Sequence, residues 1–256
     1  MALIDVRHLE KTYRTVRQGD VHALQDVSFS VDDGEFIAIV GPSGCGKSTM
    51  LKILAGLLPR TSGSATLAGT PMDAPSAAVG MVFQAPVLLP WRTIYDNVTF
   101  PVEVRRQPAA SYRQRALDLL ALVGLADFAD RYPHELSGGM QQRAAIVRAL
   151  VQDPKVLLMD EPFGALDAMT REQMNLELLR IWEQHRKTVL FVTHSITESI
   201  FLADRVLVMT PRPGRLAEIL TIDLPRPRRL EMINSDAFGV YARRVRALLQ
   251  TKGDLS

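Results

Sequence analysis

Gly41-Pro42-Ser43-Gly44-Cys45-Gly46-Lys47-Ser48-Thr49 is the stretch that decides how this chain folds. It follows the apolar run Phe36-Ile37-Ala38-Ile39-Val40. It precedes a segment in which Met50, Leu51, Leu54, Leu57 and Leu58 recur at helical spacing. A strand that passes through a glycine-rich turn into a helix is the context in which G-x-x-x-x-G-K-[ST] has a mechanism. Gly41, Gly44 and Gly46 let backbone N–H groups turn inward around a polyphosphate where a side chain would obstruct. The helix N-terminus adds partial positive charge. Lys47 can reach the outer phosphates, and the Ser48 hydroxyl can ligate a magnesium ion bridging them. The expected ligand is a nucleoside triphosphate.

The bulk composition sets limits on everything else. A chain of 256 residues with 47% hydrophobic and 23% charged residues has ample material for a globular core. The net charge of +2 demands neither a nucleic-acid nor a membrane-surface role on electrostatic grounds alone. The single cysteine, Cys45, excludes an internal disulfide and fits a reducing compartment. With no thiolate-activating base in view, it reads as a small packing residue of the phosphate loop. No apolar run approaches the ~18–20 residues that span a bilayer, and the first residues lack a signal-peptide layout. The expected location is the cytoplasm, with any membrane role exercised through a partner.

Away from the loop, residues 3–9 alternate well enough for an edge strand. Residues 26–33 alternate more cleanly, with Val27, Phe29 and Val31 on one face, before Asp33-Gly34 turns the chain. A short strand is expected around Ser64–Leu67 and another over residues 79–84, ending on Gln84. From about Pro86 to Leu150 the pattern becomes helical, over Tyr112–Val123 and Gln141–Val151, with loop signals at Pro101, Pro108, Gly124 and Pro133. This predicts a helical lobe inserted into an α/β core. The core resumes with Lys155–Met159 and Thr188–Thr193, apolar throughout and separated by a helix-length segment, Thr170–Glu183, as suits buried parallel strands. Residues 205–209 and 216–222 read as closing strands joined by Pro211-Arg212-Pro213-Gly214, and a terminal helix begins near Asp236.

Four of these strands end on groups useful at a phosphate site: the glycine-rich loop, Gln84, Asp160-Glu161 and His194. In an open parallel sheet the carboxyl ends of the strands share one edge, where ligands bind. Asp160 would serve the magnesium shell. Glu161 could orient or deprotonate a water attacking the γ-phosphate. His194 could contact that phosphate, and Gln84 could join metal and water. A second glycine cluster, Leu136-Ser137-Gly138-Gly139-Met140-Gln141-Gln142-Arg143, opens a helix with Ser137 as N-cap and forms a second anion site.

In these motifs the chain resembles the ATP-binding cassette ATPases, the motors of ABC transporters, over residues 1–230. GPSGCGKST is similar to the Walker A motif, Gln84 to the Q-loop, LSGGMQQR to the signature motif and Val156–Glu161 to Walker B. Ala165-Leu166-Asp167 is similar to the D-loop, His194 to the switch histidine and Tyr13 to the aromatic that stacks on adenine. Met140 departs from the glutamine many members carry. The resemblance implies an α/β fold: a P-loop (RecA-like) nucleotide-binding core over 1–85 and 152–230, with an antiparallel β subdomain at its N-terminus. It further implies a helical subdomain inserted over 86–151 and a helical tail over 231–256. The implied cofactors are ATP and Mg2+, with Ser48, Gln84 and Asp160 at the metal. The implied nucleotide contacts run from Gly41 to Thr49 and include Tyr13, Ser137, Gly138, Gly139 and Asp167. Two cassettes would pair head to tail, Ser137–Gly139 of one closing on the ATP of the other, and thereby drive a membrane partner.

Within the family, Gln84-Ala85-Pro86-Val87-Leu88-Leu89-Pro90-Trp91-Arg92-Thr93 and Met209-Thr210-Pro211-Arg212-Pro213-Gly214-Arg215 resemble importers of nitrate, sulfonates and taurine. The chain ends soon after the core, unlike sugar importers with an added regulatory domain. The implied partners are a second cassette (a homodimer), permease subunits and, indirectly, an extracytoplasmic solute-binding protein, at the inner face of the membrane. Trp91 is expected either as an exposed anchor beside a docking groove or as lobe core. An export cassette is the first alternative, since Gly19-Asp20-Val21-His22-Ala23-Leu24 also occurs in cassettes that extract lipids or lipoproteins. A soluble cassette acting on nucleic acid is the second. The clusters Arg226, Arg228, Arg229 and Arg243, Arg244, Arg246 read as a solvated basic face, with no nucleic-acid partner expected.

Overall fold

The computed structural model describes residues 2–15 and 19–250. In chain order the strands and helices begin β1 (Ile4–Thr15), β2 (Gly19–Val31), β3 (Phe36–Val40), α1 (Lys47–Leu54), β4 (Ser62–Leu67), β5 (Thr70–Pro71) and β6 (Val79–Val82). There follow α2 (Ile94–Val104), α3 (Ala109–Leu122), α4 (Gly138–Leu150), β7 (Val156–Asp160), α5 (Ala168–His185) and β8 (Thr188–Thr193). The chain closes with α6 (Ile196–Leu202), β9 (Arg205–Met209), β10 (Leu216–Thr221) and α7 (Asp236–Gln250). Residues 251–256 of the expected tail lie outside the described residues. The elements group into two compact units, residues 1–76 with 186–256, and residues 77–185.

The first unit contains an antiparallel sheet in the order β2-β1-β4-β5. Val27, Phe29 and Val31 of β2 are all buried, as their alternation requires. β1 is flanked by β2 on one side and β4 on the other, so it is an interior strand and not the expected edge. Its alternation reads weakly because His8 has a φ of 48° and shifts the register between Val6 and Leu9. Such a bulge moves the buried set from even to odd positions. The unit's second sheet runs β10-β9-β3-β8. Its center is parallel: β3 pairs with β8, Val40 opposite Thr193, and with β9, Val40 opposite Val208. All residues of β3 and β8 are buried, which explains their continuous apolar sequences.

The second unit holds the parallel pair β6 and β7 with helices α2 to α5. β6 stops at Val82, so Gln84 lies two residues past the strand end that the sequence assigned to it. Pro101, expected in a loop, is inside α2. An interior proline costs about 3 kcal/mol. Here the burial of Ile94, Asn97, Val98 and Val102 along one face offsets it, and the Thr93 hydroxyl accepts from Asp96 N at 3.1 Å to cap the start.

Arg229, Arg243, Arg244 and Arg246 are exposed, as a solvated basic face requires, but Arg226 and Arg228 are drawn into the fold. Arg228 is 5% exposed, and its Nη1 donates to the carbonyls of Ile200 (2.6 Å), Phe201 (3.0 Å) and Ala203 (2.7 Å) at the end of α6. Arg226 donates to Asp204 Oδ1 at 2.7 Å and to Leu202 O at 2.8 Å. Burial lowers the Arg228 guanidinium to about 10, still charged at neutral pH, and the charge of Arg226 adds to the shift. Carbonyls at a helix C-terminus lack intrahelical partners, and these arginines supply them. Arg228→Ala is therefore expected to cost about 3 kcal/mol in chemical denaturation. A fold insensitive to that change would return the cluster to the surface.

Candidate functional site

In the first unit the site grows out of β3. The chain leaves Val40 into the glycine-rich loop, and Gly46 takes a φ of 99° immediately before α1. A Cβ at Gly46 would stand 2.7 Å from Leu24 Cδ2 and 2.8 Å from Ala23 O, so both the dihedral and the close approach of β2 require glycine. Lys47 is 5% exposed and donates to Gly41 O at 2.9 Å and Pro42 O at 3.1 Å. The ammonium is folded over the loop, where an anion's oxygens would compete for it. Cys45 is fully buried; burial pushes its thiol up while the nearby Lys47 charge opposes the shift. A buried, protonated thiol packs and does not attack.

Tyr13, on β1, is 37% exposed, and its hydroxyl lies 3.3 Å from Thr49 Oγ1 at the first turn of α1. Lys11 Nζ sits over its ring at 5.1 Å from the centroid and donates to Pro59 O. The tyrosine thus stands beside the phosphate loop with its ring oriented by a cation–π contact.

His194 follows β8 directly, and β8 is the parallel neighbor of β3, so His194 leaves the sheet at the same edge as the loop. A hydroxyl fixes the turn around it. Thr193 Oγ1 accepts from Ser195 N at 2.9 Å and donates to the buried Glu198 carboxylate, while Ser195 Oγ caps α6 by accepting from Glu198 N. Thr193 and Glu198 escaped the sequence reading. The only signal was a hydroxyl before the histidine and an acid one helical turn after it.

In the second unit, β7 ends at Asp160, which is 8% exposed, and Glu161 follows with a φ of 46°. A non-glycine residue held there costs about 1–3 kcal/mol, as is common where a side chain must be aimed. β6 runs parallel with Val82 opposite Met159, so Gln84 leaves at the same edge as Asp160 and Glu161. Gly164 shows how these two approach: a Cβ there would be 3.4 Å from Gln84 Nε2 and 3.8 Å from Glu161 Oε2. Ser137 caps α4, accepting from Met140 N at 3.4 Å, and Gly138 and Gly139 form its first turn. Asp167 caps α5, accepting from Thr170 N at 3.0 Å and from Thr170 Oγ1 at 2.6 Å.

The family of ABC transporters matches residues 24–164. An uncharacterized ABC transporter ATP-binding protein of Methanocaldococcus jannaschii is 51% identical over 208 residues, 81% of this chain and 78% of its own. The taurine import ATP-binding protein of Rhizobium johnstonii is 46% identical over 242 residues, 92% of each chain. A solved dimeric structure of an ATP-binding cassette in a post-hydrolysis state, bound to ADP and Pi, aligns with a TM-score of 0.75 at 32% identity. That match covers 87% of this chain and 100% of the other. The chain belongs to the ABC transporter family.

As an ABC ATPase, the protein binds and hydrolyses ATP. No helix among the described residues is long and apolar enough to cross a membrane. Beyond the motifs, this ABC subunit has an apolar groove of about 440 Å³ in its second unit, lined by Met81, Phe83, Val87, Leu89, Phe100 and Val104 among others. Trp91 is 71% exposed, which decides between its two expected placements in favor of the surface.

The Asp167 cap makes a titratable marker for the turn before α5. The Thr170 hydroxyl, followed by the Thr170 N–H, holds the carboxyl below its ordinary 3.8. A depressed carboxyl favors the folded state at neutral pH, and that contribution is lost as pH falls through the folded value. In Thr170→Ala the Asp167 titration, followed by NMR, is expected to move up toward 3.8. An unmoved titration would assign the depression to another group.

Proposed function

We propose that this ABC ATPase powers an importer for a small anion or related solute of the nitrate, sulfonate or taurine type, acting through a separate permease at the inner face of the cell membrane. The observation that carries this reading is the 46% identity to a taurine import ATP-binding protein over 92% of both chains. The resemblance of the segments Gln84–Thr93 and Met209–Arg215 to such importers agrees with it.

In the proposed cycle the N–H groups of residues 41–49 and the Lys47 ammonium take the phosphates, and Tyr13 takes the adenine face. Ser48, Gln84 and Asp160 would hold Mg2+, an all-oxygen donor set that suits a hard cation. Bound with the nucleotide, such an ion neutralizes charge on the β- and γ-phosphates. Glu161 accepts the proton of the attacking water, and its aimed backbone supports that role. His194 donates to the γ-phosphate from a turn fixed by Thr193 and Glu198.

Ser137, Gly138 and Gly139 act in trans, on the nucleotide of a second copy of the chain, with Asp167 at the same contact. The dimeric state of the solved cassette relative supports this pairing. The helices of residues 86–151 form the lobe that receives the permease, a helix of which occupies the apolar groove beside the exposed Trp91. A solute-binding protein confers specificity from the other side of the membrane.

Glu161→Gln is expected to lower turnover roughly 100-fold or more while ATP binding persists and an ATP-bound dimer accumulates in light scattering. Brisk hydrolysis by that variant would remove Glu161 from the role of base. Lys47→Ala should lose ATP affinity in equilibrium titration. The transport assignment is tested by purifying the tagged chain from native membranes in mild detergent. A permease in equal ratio with a solute-binding protein supports import. A permease without one favors export, and ribosomes or nucleic acid would end the transport reading.

A further inference from the structure

The turn between β9 and β10 has no part in the cycle above, yet it lies against the phosphate loop. Gly214 approaches so closely that a Cβ there would stand 1.9 Å from Cys45 O. On its other side Gly214 N donates to Ala23 O at 3.0 Å, and Gln25 N donates to Gly214 O at 2.9 Å. The turn is therefore wedged between β2 and the backbone of the loop. Its own shape is fixed by Pro211, Pro213 and Thr210, whose Oγ1 donates toward Pro211 O (3.1 Å) and Pro213 O (3.3 Å) and accepts from Arg215 N (3.0 Å).

Arg212 stands at the tip. Its Nε donates to Gly44 O at 3.4 Å, and its Nη2 lies 3.4 Å from the position a Cβ of Gly44 would occupy. The side chain is exposed, and it makes no ion pair with any described residue. Among the described residues its Nη1 and Nη2 donate to nothing. The neighboring arginine, Arg215, is turned away to Gln25 Oε1. A rigid turn thus presents one uncompensated guanidinium, with donors to spare, at the rim of a loop built to gather phosphates.

We propose that Arg212 is a further nucleotide-binding residue: its guanidinium engages the outer phosphate of ATP bound in the same chain's phosphate loop. The proposal rests on the reading of residues 41–49 as the phosphate cradle. A guanidinium keeps its charge at every physiological pH and presents planar paired donors that match a phosphate's oxygens, which an ammonium does not. Because the contact is with the outer phosphate, Arg212 should discriminate ATP from ADP. It also comes from a segment separate from Lys47, so it gives the loop a second cation from another part of the sheet. Its contact with Gly44 O keeps it beside the loop before the nucleotide arrives.

The test is equilibrium binding of ATP with magnesium, of ADP and of adenosine to the full chain and to Arg212→Ala, Arg212→Lys, Arg212→Glu and Lys47→Ala. Arg212→Ala is expected to weaken ATP roughly three- to tenfold, ADP less, and adenosine not at all. Arg212→Lys should recover part of the loss and Arg212→Glu should deepen it. The dependence of ATP affinity on salt should be shallower in Arg212→Ala than in the native chain. Since the side chain is exposed, the thermal midpoint should not move. Native ATP affinity in both Arg212→Ala and Arg212→Glu, with affinity lost in Lys47→Ala, would overturn the proposal and leave the cradle intact. Native affinity in Lys47→Ala as well would overturn the reading of the cradle on which the proposal depends. Equal losses for ATP, ADP and adenosine would make Arg212 a staple of the loop and not a phosphate ligand.

Discussion

β3 is hydrogen-bonded along both edges to parallel strands, and the arrangement of the first unit's site follows from that pairing. Val40 faces Thr193 on one side and Val208 on the other, so three chain segments leave the sheet at the same level. They are the phosphate loop, the His194 turn and the turn that carries Arg212. A strand buried on both faces has no side-chain alternation to hold its register. What fixes it here lies beyond the strand ends. Gly46 lies against the Ala23 carbonyl and the Leu24 side chain, and Gly214 lies against the Cys45 carbonyl. A slip of β3 past β9 would drive the Cys45 carbonyl into or away from Gly214, and a shift of the loop would break its seat on β2. These close approaches thus hold the glycine-rich loop in place against β2 and the turn after β9.

The polar groups around this edge are held by local partners. Thr193 uses one hydroxyl to join the residues on both sides of His194 to the buried Glu198. Lys47 is buried, and a cation away from water requires acceptors. It takes them from Gly41 and Pro42, within the loop itself. Such an arrangement fixes each group close to where it is needed while leaving its partner replaceable by a stronger acceptor. In the second unit the same economy appears at Glu161, whose left-handed backbone aims the carboxylate that follows Asp160.

The central strands were legible in the sequence because burial on both faces writes itself as an unbroken apolar run. β3 and β8 begin and end where Phe36–Val40 and Thr188–Thr193 do. The loop was legible because its chemistry needs glycine at fixed spacing. Elements that depend on distant contacts were not. α6 is seven residues long with Glu198 to Leu202 all buried, too short a segment with too little polar face to show a helical period. Pro101 signals a break, but the packing of α2 overrides it. The cluster at Arg226 and Arg228 looks like solvated charge, because sequence carries no sign that the end of α6 offers unpaired carbonyls nearby. Arg212 was visible only as part of a resemblance; its position over Gly44 is a fact of tertiary structure.

The stretch from Phe83 to Thr93 raises a different question, since it has no ladder or helix to satisfy its backbone. Side chains of two helices do so instead. From α2, Asn97 accepts from Leu89 N at 2.7 Å and donates to the carbonyls of Leu89, Arg92 and Thr93. From α4, Arg148 donates to the carbonyls of Pro86 and Val87 at 2.7 Å each, and Gln142 donates to Phe83 O at 3.3 Å. Burial lowers the Arg148 guanidinium, so its carbonyl contacts are made where water competes poorly. Val87 carries a φ of 48°, unusual for a β-branched residue, and is held there by the arginine. A segment fastened in this way keeps one shape, with Gln84 at one end and the exposed Trp91 at the other. Because its fastenings come from α2 and α4, a displacement of those helices carries the whole segment with it. The groove lined by Phe83, Val87 and Leu89 is formed by the same residues. The groove lining and Gln84 therefore belong to one mechanical element.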